Sequence, residues 1–546
     1  MAREIDVFGP PGCGKSSYVA RQVEVAAEKY GRGGVLVASF TKAAAAELVG
    51  RKLPIDKAMV GTLHAHCYRA LERPEIAETK AAAWNEKHPD MALSSAGAVD
   101  VDDPLGEPVT TDNGAMGGDE AMAVCQVLRA QMVPPDQWPL MARRFHEAWT
   151  KWKRAEGLID FTDMIEMCLE DVPTAPGDPR VGFFDEAQDF TPLELALVRR
   201  WCSETDSYVL VGDDDQCIYS FKGATPDAFL EGQKSGAFSK VLSQSYRVPR
   251  AVHEFATRLS GQISRRQPKE YAPRDFGGAV QRSDGSWKRA ETLVEEVERH
   301  TGQGKKCMIL ASCSYFLRPI MAVLRKEAVP YHNPWRRKRG DWNPLVRGHA
   351  KKDGTSTHSA LDRLMAFLVT DPSTPGGQQS EWTWGDVALW SKPLASDGVF
   401  RTGFKKAVTQ KDQHAFVDVF DLSGWMDPEA LVRAEEHDLA WFYSRLLGSE
   451  MAKYEFPVAI AQKRGKAALR AEPMVSIGTI HSVKGAEADV VFLMPDLSRR
   501  GYEQWMFSGL AGSDSTLRLF YVGATRARDT LVLCSPGQRW HFEWAA

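Results

Sequence analysis

The residues best suited to chemistry lie near the N-terminus, in the run Gly9-Pro10-Pro11-Gly12-Cys13-Gly14-Lys15-Ser16. The pattern G-x-x-x-x-G-K-S is typical of a loop that binds phosphate groups. Gly12 and Gly14 let the backbone curl so that successive N–H groups point at a bound anion. Lys15 would reach the β- and γ-phosphates of a nucleoside triphosphate, and the Ser16 hydroxyl would hold Mg²⁺. The expected nucleotide-binding residues of this loop are Gly12, Cys13, Gly14, Lys15, Ser16 and Ser17.

The sequence on either side of the loop predicts the elements that must position it. Residues 5–8 are typical of a short buried strand, and residues 17–23 carry apolar side chains at helical spacing. A second apolar strand is predicted at 34–39, with Thr41 capping a helix over 42–49. Repeated βα units beside a phosphate loop predict a doubly wound α/β fold with parallel sheets. The alternative, a glycine turn before an incidental Lys-Ser pair, is disfavoured by these flanking elements.

Two adjacent carboxylates follow another apolar run. Residues 181–184 are typical of a buried strand, and Asp185 and Glu186 come directly after it. In ATPases with this kind of loop, the end of such a strand carries a carboxylate associated with Mg²⁺ and a catalytic base. Asp185 is therefore a predicted metal residue together with Ser16, and Glu186 is predicted to deprotonate the attacking water. The alternative is an acidic turn at the surface.

The next predicted strand, residues 208–212, leads into a polar cluster that ends at Gln216. The end of a strand can place Gln216 against a γ-phosphate. Phe221 follows shortly after with Lys222 beside it, a combination suited to stacking on an unpaired base. Taken alone, Phe221 fits a core position equally well. Further along, Tyr246 and Arg247 could supply a ring for adenine and a cation for the transition state.

Composition limits the class of protein. The chain has 546 residues, which predicts several domains, and its formal net charge of −4 means that any nucleic-acid contact must use a local basic surface. The nine cysteines form no C-x-x-C pair, so zinc and iron–sulfur sites have no local signature. We find no apolar run long enough to span a membrane and no signal peptide, which favours reduced thiols and a cytoplasmic location.

The order of these blocks resembles that of superfamily 1 DNA helicases of the UvrD/Rep/PcrA type. The blocks are GPPGCGKSS, ASFTKAAAAEL, VGTLHAHC, FFDEAQD, VGDDDQCIYSFKGA, LSQSYR, VSIGTIHSVKGAEADVVFL and LRLFYVGATRARDTLVL. They span nearly the whole chain. In that family two RecA-like domains clamp ATP between them. The resemblance therefore implies an ATP-dependent, Mg²⁺-requiring enzyme of a bacterium or phage, acting on single-stranded DNA and single-strand/duplex junctions.

The resemblance also implies roles for individual residues. Gln216 would sense the γ-phosphate and Tyr246 would stack on adenine, while Arg247 and Arg526 would reach the γ-phosphate from the second domain. Arg526 is predicted on an amphipathic helix, where an isolated arginine usually faces solvent. The remaining implied contacts are Gly485 and Glu487 with the nucleotide ribose, and Thr62, His64, Phe221, Lys222 and His481 with single-stranded DNA.

Several positions depart from the family pattern. The family normally begins with a segment that carries a glutamine for reading adenine, whereas this sequence starts directly at the first predicted strand. The usual Asn-Lys of the second block is Lys42-Ala43, and Phe-His-Ser of the third is Leu63-His64-Ala65. The usual Trp-Arg becomes Phe221-Lys222, which keeps a ring and a charge but loses ring area and the guanidinium fork.

The predicted domain organisation follows the family. The first RecA-like domain would comprise 1–71 and 161–247 around a helical insertion at 72–160, in which 96–118 forms a loop. The second would comprise 248–333 and 473–546 around an insertion at 334–472, with helices at 358–370 and 439–447. The basic run at 335–339 has two interpretations that stay open, a solvated surface and a contact for duplex or junction DNA.

The activity implied by this organisation is an ATP-dependent helicase or translocase that moves 3′→5′. Two alternatives stay open. The chain could be a DNA-stimulated ATPase or DNA-end sensor that serves a protein partner, such as a nuclease in repair, replication or phage defence. It could also be a P-loop kinase or small-molecule ATPase, although this leaves the C-terminal blocks unexplained.

Overall fold

The computed structural model describes residues 3–40, 50, 53–94, 117–234, 236–337, 339–349, 356–369 and 382–544. The predicted helix at 42–49 and residues 96–116 of the predicted loop lie outside these ranges. The strands are β1 (Arg3–Phe8), β2 (Val35–Ser39), β3 (Val60–Thr62), β4 (Val181–Asp185), β5 (Ser207–Gly212), β6 (Phe238–Val241), β7 (Gln244–Pro249), β8 (Ala272–Arg274), β9 (Ala279–Ser283), β10 (Cys307–Ala311), β11 (Tyr331–His332), β12 (Val475–Thr479), β13 (Ala488–Leu493) and β14 (Ala527–Cys534).

The helices follow the spacing of the apolar residues. They are α1 (Lys15–Tyr30), α2 (Leu63–Ala70), α3 (Ala81–Lys87), α4 (Gly118–Ala130), α5 (Leu140–Glu156), α6 (Phe161–Asp171), α7 (Pro192–Trp201), α8 (Pro226–Lys234), α9 (Arg250–Ser260), α10 (Ala290–Gly302), α11 (Leu317–Lys326), α12 (Ala360–Phe367), α13 (Trp384–Ser391), α14 (Phe404–Val408), α15 (Val419–Ser423), α16 (Pro428–Glu435), α17 (Leu439–Ser444), α18 (Gly448–Arg464), α19 (Arg499–Phe507) and α20 (Gly509–Ala524). No helix in the described ranges is long and apolar enough to cross a membrane.

The chain folds into two compact units, the first comprising 1–286, 308–316 and 478–546. This unit contains a six-stranded sheet of order β3-β2-β4-β5-β1-β6. All its pairings are parallel, with Val7 opposite Val211 and Phe183 opposite Val209. Apolar residues cover both faces, as a parallel sheet between helices requires. The predicted parallel α/β fold is confirmed.

The same unit contains part of a second sheet, with the neighbouring strands β10-β13-β14-β9. β14 pairs in parallel with β13 on one side and with β9 on the other. Helix α20 ends at Ala524, three residues before β14 begins. Residues at the amino ends of β13 and β14 are therefore close together, and the Ala488 N–H donates to the Arg526 carbonyl at 3.1 Å.

A tryptophan-rich cluster fixes helices α3, α4 and α5, which lie within the predicted first insertion. Trp84 and Trp149 are buried, and their ring centroids lie 5.0 Å apart in an edge-to-face arrangement. Buried Asp160 caps α6 and accepts from both Arg129 and Lys153, at 2.8 Å and 2.6 Å. These two ion pairs tie α4 and α5 to the start of α6, where the sequence predicts the return to the α/β domain.

The second unit comprises 287–307 and 317–477 and is mainly helical. Its core is aromatic, with Phe367 packed against Trp390 and Phe442 at centroid distances of 5.6 Å and 4.5 Å. Capping boxes begin α12 at Ser359 and α13 at Thr383. The helices predicted at 358–370 and 439–447 form as α12 and α17. Both are shorter than predicted, since they end at Phe367 and Ser444.

A buried carboxylate in β1 makes stability depend on pH. Asp6 is fully buried, and neither carboxylate oxygen has a hydrogen-bond partner. Burial, reinforced by the Glu4 carboxylate, raises the pKa of Asp6 to about 7 from an ordinary value of 3.8. Asp6 ionises at a lower pH in the unfolded chain than in the folded protein. As the pH rises from 3.8 to about 7, ionisation therefore favours the unfolded chain, and the folded protein loses stability.

We expect Asp6→Asn to raise the free energy of unfolding at pH 8 by about 2–4 kcal/mol, since each unit of pKa shift is worth about 1.4 kcal/mol. The gain should shrink as the pH falls and vanish well below pH 3.8, where Asp6 is protonated in both states. Urea denaturation at pH 8 and pH 5 checks this. An equal gain at both pH values would show that ionisation of Asp6 is not the cause.

Candidate functional site

One edge of the first sheet carries the phosphate loop, the Asp185–Glu186 pair and the turn that leads to Gln216. Strands β4, β5 and β1 are neighbours and run in parallel, so their carboxyl ends meet at one edge. The phosphate-loop residue Gly9 follows β1, Asp185 is the last residue of β4, and Asp213 follows β5. Ligands of open α/β sheets bind at this edge.

The phosphate loop has the backbone that its glycines predict. Gly12 and Gly14 have φ values of +77° and +79°, and Gly14 is the N-cap of α1. The Lys15 ammonium donates to the Gly9 carbonyl at 2.7 Å, across the loop. Although burial opposes it, the nearby Glu186 carboxylate raises the pKa of Lys15. The loop therefore presents a helix N-terminus and a firmly charged lysine to an anion.

The remaining loop residues differ in exposure. Cys13 is buried, and burial raises the pKa of its thiol. Ser17 is exposed in the first turn of α1. All nine cysteines lie in the described residues, are buried and form no disulfide.

Strand β7 is fastened to the loop. The Tyr246 N–H donates to the Gly12 carbonyl at 2.8 Å, and the hydroxyls of Ser245 and Tyr271 both donate to the Pro11 carbonyl, at 2.9 Å and 3.1 Å. A Cβ on Gly12 would lie 2.5 Å from the Cβ of Arg247. This close approach sets Arg247 beside the loop, while Tyr246 is 71% exposed. An exposed ring beside a phosphate loop is suited to stacking on a base.

Ser16 and Asp185, the predicted metal residues, face one another. The Ser16 hydroxyl donates to Asp185 Oδ2 at 3.4 Å. Burial and the neighbouring Glu186 carboxylate raise the pKa of Asp185 to about 7. Two hard oxygen donors, one on a carboxylate whose charge Lys15 offsets only in part, fit Mg²⁺. The described residues contain no group of three or more His, Cys, Asp or Glu that could hold a metal.

Glu186 has a strained backbone and a fixed side chain. Its φ of +56° is in the left-handed region, which is uncommon outside glycine. The Gln188 side-chain amide donates to Glu186 Oε2, and its oxygen accepts from the Asp213 N–H at 2.9 Å. Burial would raise the pKa of Glu186, but Lys15 and Lys484 hold it low. Glu186 is therefore ionised and held in place, as a base requires.

Arg526 corrects one expectation from the sequence. It does not lie on a solvated helix face, because α20 ends at Ala524 and the Arg526 side chain is only 1% exposed. Its guanidinium donates to the Val522 carbonyl at 2.9 Å, to the Ala486 carbonyl at 3.3 Å and to Gln216 Oε1 at 3.1 Å. Two of the residues predicted to act on the γ-phosphate, Gln216 and Arg526, are thus in direct contact.

The charge of Arg526 is only partly compensated. Burial, and the positive charge of Arg247, lower the pKa of Arg526 to about 9. Arg247 itself forms a 2.6 Å ion pair with Glu487, which also pairs with Arg528 at 3.1 Å. Glu487, the predicted ribose contact, follows exposed Gly485, whose φ is +89°. The positive charge of Arg247 thus acts on the buried guanidinium of Arg526, an arrangement that is suited to receive an anion.

Lys484 belongs to this site although the sequence analysis did not select it. Its ammonium pairs with Asp189 and donates to the Gln216 carbonyl at 2.9 Å. Burial raises the pKa of Asp189 to about 7. The only sequence signal was the position of Lys484 within one of the matched blocks. A lysine without a local partner does not reveal an ion pair with a residue 295 positions away.

The predicted DNA residues that follow Gln216 form an aromatic group. Phe221 is half-buried and packs edge-on against His481, with ring centroids 5.6 Å apart. His481 is buried, and burial lowers its pKa to about 3, so the imidazole is neutral. The Lys222 ammonium lies over the Phe40 ring, 5.4 Å from its centroid. Phe221 and Lys222 are accessible, whereas His481 supports the Phe221 ring from behind.

Thr62 and His64 lie at the start of α2. The Thr62 hydroxyl caps this helix by accepting from the Ala65 N–H at 3.2 Å. His64 is half-buried, lies 3.5 Å from Glu194, and contacts the ring of Phe161 at a centroid distance of 6.1 Å. Phe161 is 45% exposed and was not selected from the sequence. A large exposed ring beside a predicted DNA residue is suited to stacking on a base.

These features define a class. A phosphate loop, an Asp-Glu pair and arginines from beside a second parallel sheet constitute a P-loop nucleoside triphosphatase with two RecA-like sheets. Residues 1–236 match the UvrD/REP helicase N-terminal domain, and residues 457–536 match the UvrD-like helicase C-terminal domain. The chain belongs to the UvrD/Rep/PcrA family of ATP-dependent DNA helicases.

Several curated relatives are named as ATP-dependent DNA helicases. ATP-dependent DNA helicase UvrD2 of Mycobacterium bovis is 28% identical over 610 aligned residues, covering 98% of this chain and 77% of the relative. ATP-dependent DNA helicase Rep of Buchnera aphidicola is 24% identical over 204 residues, covering 34% of this chain and 30% of the relative. ATP-dependent DNA helicase PcrA of Staphylococcus epidermidis is 28% identical over 155 residues, covering 27% and 21%.

Proposed function

We propose that the chain is a Mg²⁺-requiring translocase that moves 3′→5′ on single-stranded DNA and uses ATP hydrolysis to separate strands. The observation that carries the proposal is the contact between Gln216 and Arg526. Gln216 lies five residues before Phe221, whose ring is accessible. A group that contacts the γ-phosphate and a group that contacts DNA would thus move as one segment. Resemblance to the UvrD branch supports the 3′→5′ direction.

Ser16 and Asp185 would hold Mg²⁺, which when bound neutralises charge on the phosphates. Lys15 would bind the β- and γ-phosphates, which replace the Gly9 carbonyl as its partner. Glu186 would accept a proton from the attacking water, and Gln188 keeps its carboxylate oriented. These roles follow from the positions of the side chains at the carboxyl edge of the first sheet.

Tyr246, Gly485 and Glu487 would bind the nucleoside, with the exposed Tyr246 ring against adenine. Arg247 and Arg526 would neutralise the γ-phosphate in the transition state. For Arg247 this requires exchange of the Glu487 carboxylate for phosphate. Such an exchange leaves Glu487 free to accept from a ribose hydroxyl, which would link the two contacts.

Single-stranded DNA would lie along the accessible groups that follow Gln216 and begin α2. Phe221 would stack on a base with His481 behind it, and Lys222 would contact a phosphate. Thr62, His64 and Phe161 would extend the same path. The basic run at 335–339 is proposed to contact duplex or junction DNA. Arg339 there stacks on buried Trp342, with the guanidinium 4.1 Å from the ring centroid.

We expect Phe221→Ala to weaken single-strand affinity about tenfold, since a base stacked on an aromatic ring is worth ~1–3 kcal/mol. ATP binding without DNA should be unchanged, because Phe221 does not touch the phosphate-loop residues. Fluorescence anisotropy with a labelled oligonucleotide measures the first quantity, and nucleotide titration measures the second.

Phe238→Ala is the matched control. Phe238 is 52% exposed and pairs with Ile5 near the amino end of β1, away from the edge that carries the site. Its removal should leave single-strand affinity unchanged. An equal loss of single-strand affinity in both variants would contradict a specific DNA contact by Phe221. If only Phe221→Ala lacked a cooperative unfolding transition, Phe221 would be a core residue.

The direction of movement is tested with matched duplexes that carry a 3′ or a 5′ single-stranded tail. The proposal predicts ATP-dependent strand separation from the 3′-tailed substrate. Preference for the 5′ tail would contradict the direction. Strong DNA-stimulated ATPase without separation of either substrate would favour a translocase or end sensor that serves a protein partner.

A further inference from the structure

Three consecutive aspartates precede Gln216, and all three are buried. Asp213, Asp214 and Asp215 are each 0% exposed and form the short turn after β5. Three adjacent carboxylates in a core repel one another and lose their hydration. The fold must therefore supply cations that compensate them.

The compensating cations come from the segment after α9. The Lys269 ammonium lies 2.9 Å from Asp213 Oδ1 and 3.1 Å from Asp215 Oδ2, and it also pairs with Asp214. Arg266 binds Asp215 through two hydrogen bonds, of 2.9 Å and 2.6 Å. The Lys269 side chain is 1% exposed, and although burial opposes it, the three carboxylates raise its pKa above the ordinary value.

The carboxylate of Asp213 connects this cluster to the nucleotide site. Its Oδ1 faces Lys269, and its Oδ2 accepts from the Gln216 side-chain amide at 2.8 Å. That hydrogen bond turns the amide oxygen of Gln216 towards Arg526, which donates to it at 3.1 Å. The orientation of Gln216 thus depends on Asp213, and that of Asp213 on Lys269.

The segment that carries Lys269 is held at several further points. The Gln267 N–H donates to Asp214 Oδ2 at 2.7 Å, and Asp514 of α20 accepts from the Ser264 hydroxyl at 2.8 Å. Arg518, also in α20, donates to the Asp214 carbonyl at 2.9 Å. Helix α20 leads directly to Arg526, so the same segment is attached to both sides of the Gln216–Arg526 contact.

We propose that Lys269 is a positioning residue for ATP hydrolysis, which holds Asp213 so that Gln216 stays oriented between Arg526 and the γ-phosphate. The inference rests on the proposed function of Gln216. A link of this kind acts on turnover more than on ATP affinity, because Lys269 pairs with Asp213, Asp214 and Asp215, which are not among the expected nucleotide contacts. Its loss should leave the phosphate loop and the Asp185–Glu186 pair intact.

The test is a double-mutant cycle between Lys269→Met and Gln216→Ala, read as DNA-stimulated kcat and as KM for ATP. Lys269→Met alone should lower kcat about tenfold and change KM less than about twofold. A tenfold change in kcat lies within the range of interaction energies usual for residues in contact. In the Gln216→Ala background, Lys269→Met should have almost no further effect. Additive losses, or an unchanged kcat in Lys269→Met, would overturn the inference.

Lys153→Met is the matched control, because Lys153 is also buried and pairs with two aspartates, Asp160 and Asp163. Any effect it has on kcat should add to that of Gln216→Ala. If Lys269→Met does not fold, Lys269→Met/Asp214→Asn preserves the net charge of the cluster and is read by the same cycle. Normal turnover in Gln216→Ala alone would instead refute the proposed role of Gln216.

Discussion

Arg526→Ala is expected to lower DNA-stimulated ATP turnover at least about a hundredfold, because arginines that neutralise the phosphoryl-transfer transition state are worth about 10³–10⁵ in rate. ATP affinity should change much less, since such a residue acts mainly in the transition state. Arg526→Lys should recover little of the loss. A lysine cannot reproduce the three hydrogen bonds that fix the guanidinium against Val522, Ala486 and Gln216. Steady-state kinetics over a range of ATP concentrations separate kcat from KM.

Arg528→Ala is the matched control for this prediction. Arg528 lies two residues further along the chain, but its side chain is 45% exposed and pairs with Glu487. Its removal should leave turnover within a few-fold of the wild type, as for most surface ion pairs. Near-normal turnover in Arg526→Ala, or equal losses in both variants, would show that the buried guanidinium does not act on the γ-phosphate.

Glu186→Gln should slow hydrolysis about 10²–10⁴-fold, the usual contribution of a positioned general base. The amide matches the carboxylate in size but cannot take a proton from water. ATP and DNA binding should persist, because Lys15, Ser16 and Asp185 are unchanged. Single-turnover hydrolysis and nucleotide titration measure the two quantities separately.

Asp185→Asn distinguishes the base from its neighbour. This change removes the proposed metal carboxylate and keeps Glu186, so the variant should require more Mg²⁺ for ATP binding. If Glu186→Gln also lost ATP affinity, while Asp185→Asn turned over normally, the roles of the two carboxylates would have to be exchanged.

The sequence predicts the phosphate loop and the Asp185–Glu186 pair because both are local. A glycine pattern between a strand and a helix fixes Gly12, Gly14 and Lys15, and an apolar run fixes the end of β4. The parallel sheet follows from repeated strand and helix patterns. The spacing of apolar residues therefore predicts the fold of the first sheet, and with it the positions of the phosphate loop and the Asp185–Glu186 pair.

Long-range pairing is what the sequence does not reveal. Lys269 and Lys484 are ordinary polar residues in the sequence, and their importance comes from carboxylates that only the fold brings near them. The local pattern of Arg526 fits an exposed helical position. In the structure, however, α20 ends two residues before Arg526, and the Arg526 side chain is buried. His481 is likewise buried behind Phe221.

The most direct test of the proposed function is the ATP turnover of the wild-type chain with and without single-stranded DNA, measured in parallel with Phe221→Ala. We expect DNA to stimulate ATP turnover of the wild-type chain. Phe221→Ala should need about tenfold more DNA for half-maximal stimulation, because one stacked base is lost. ATP turnover that is the same with and without single-stranded DNA would contradict the coupling of the Gln216–Arg526 contact to a DNA site.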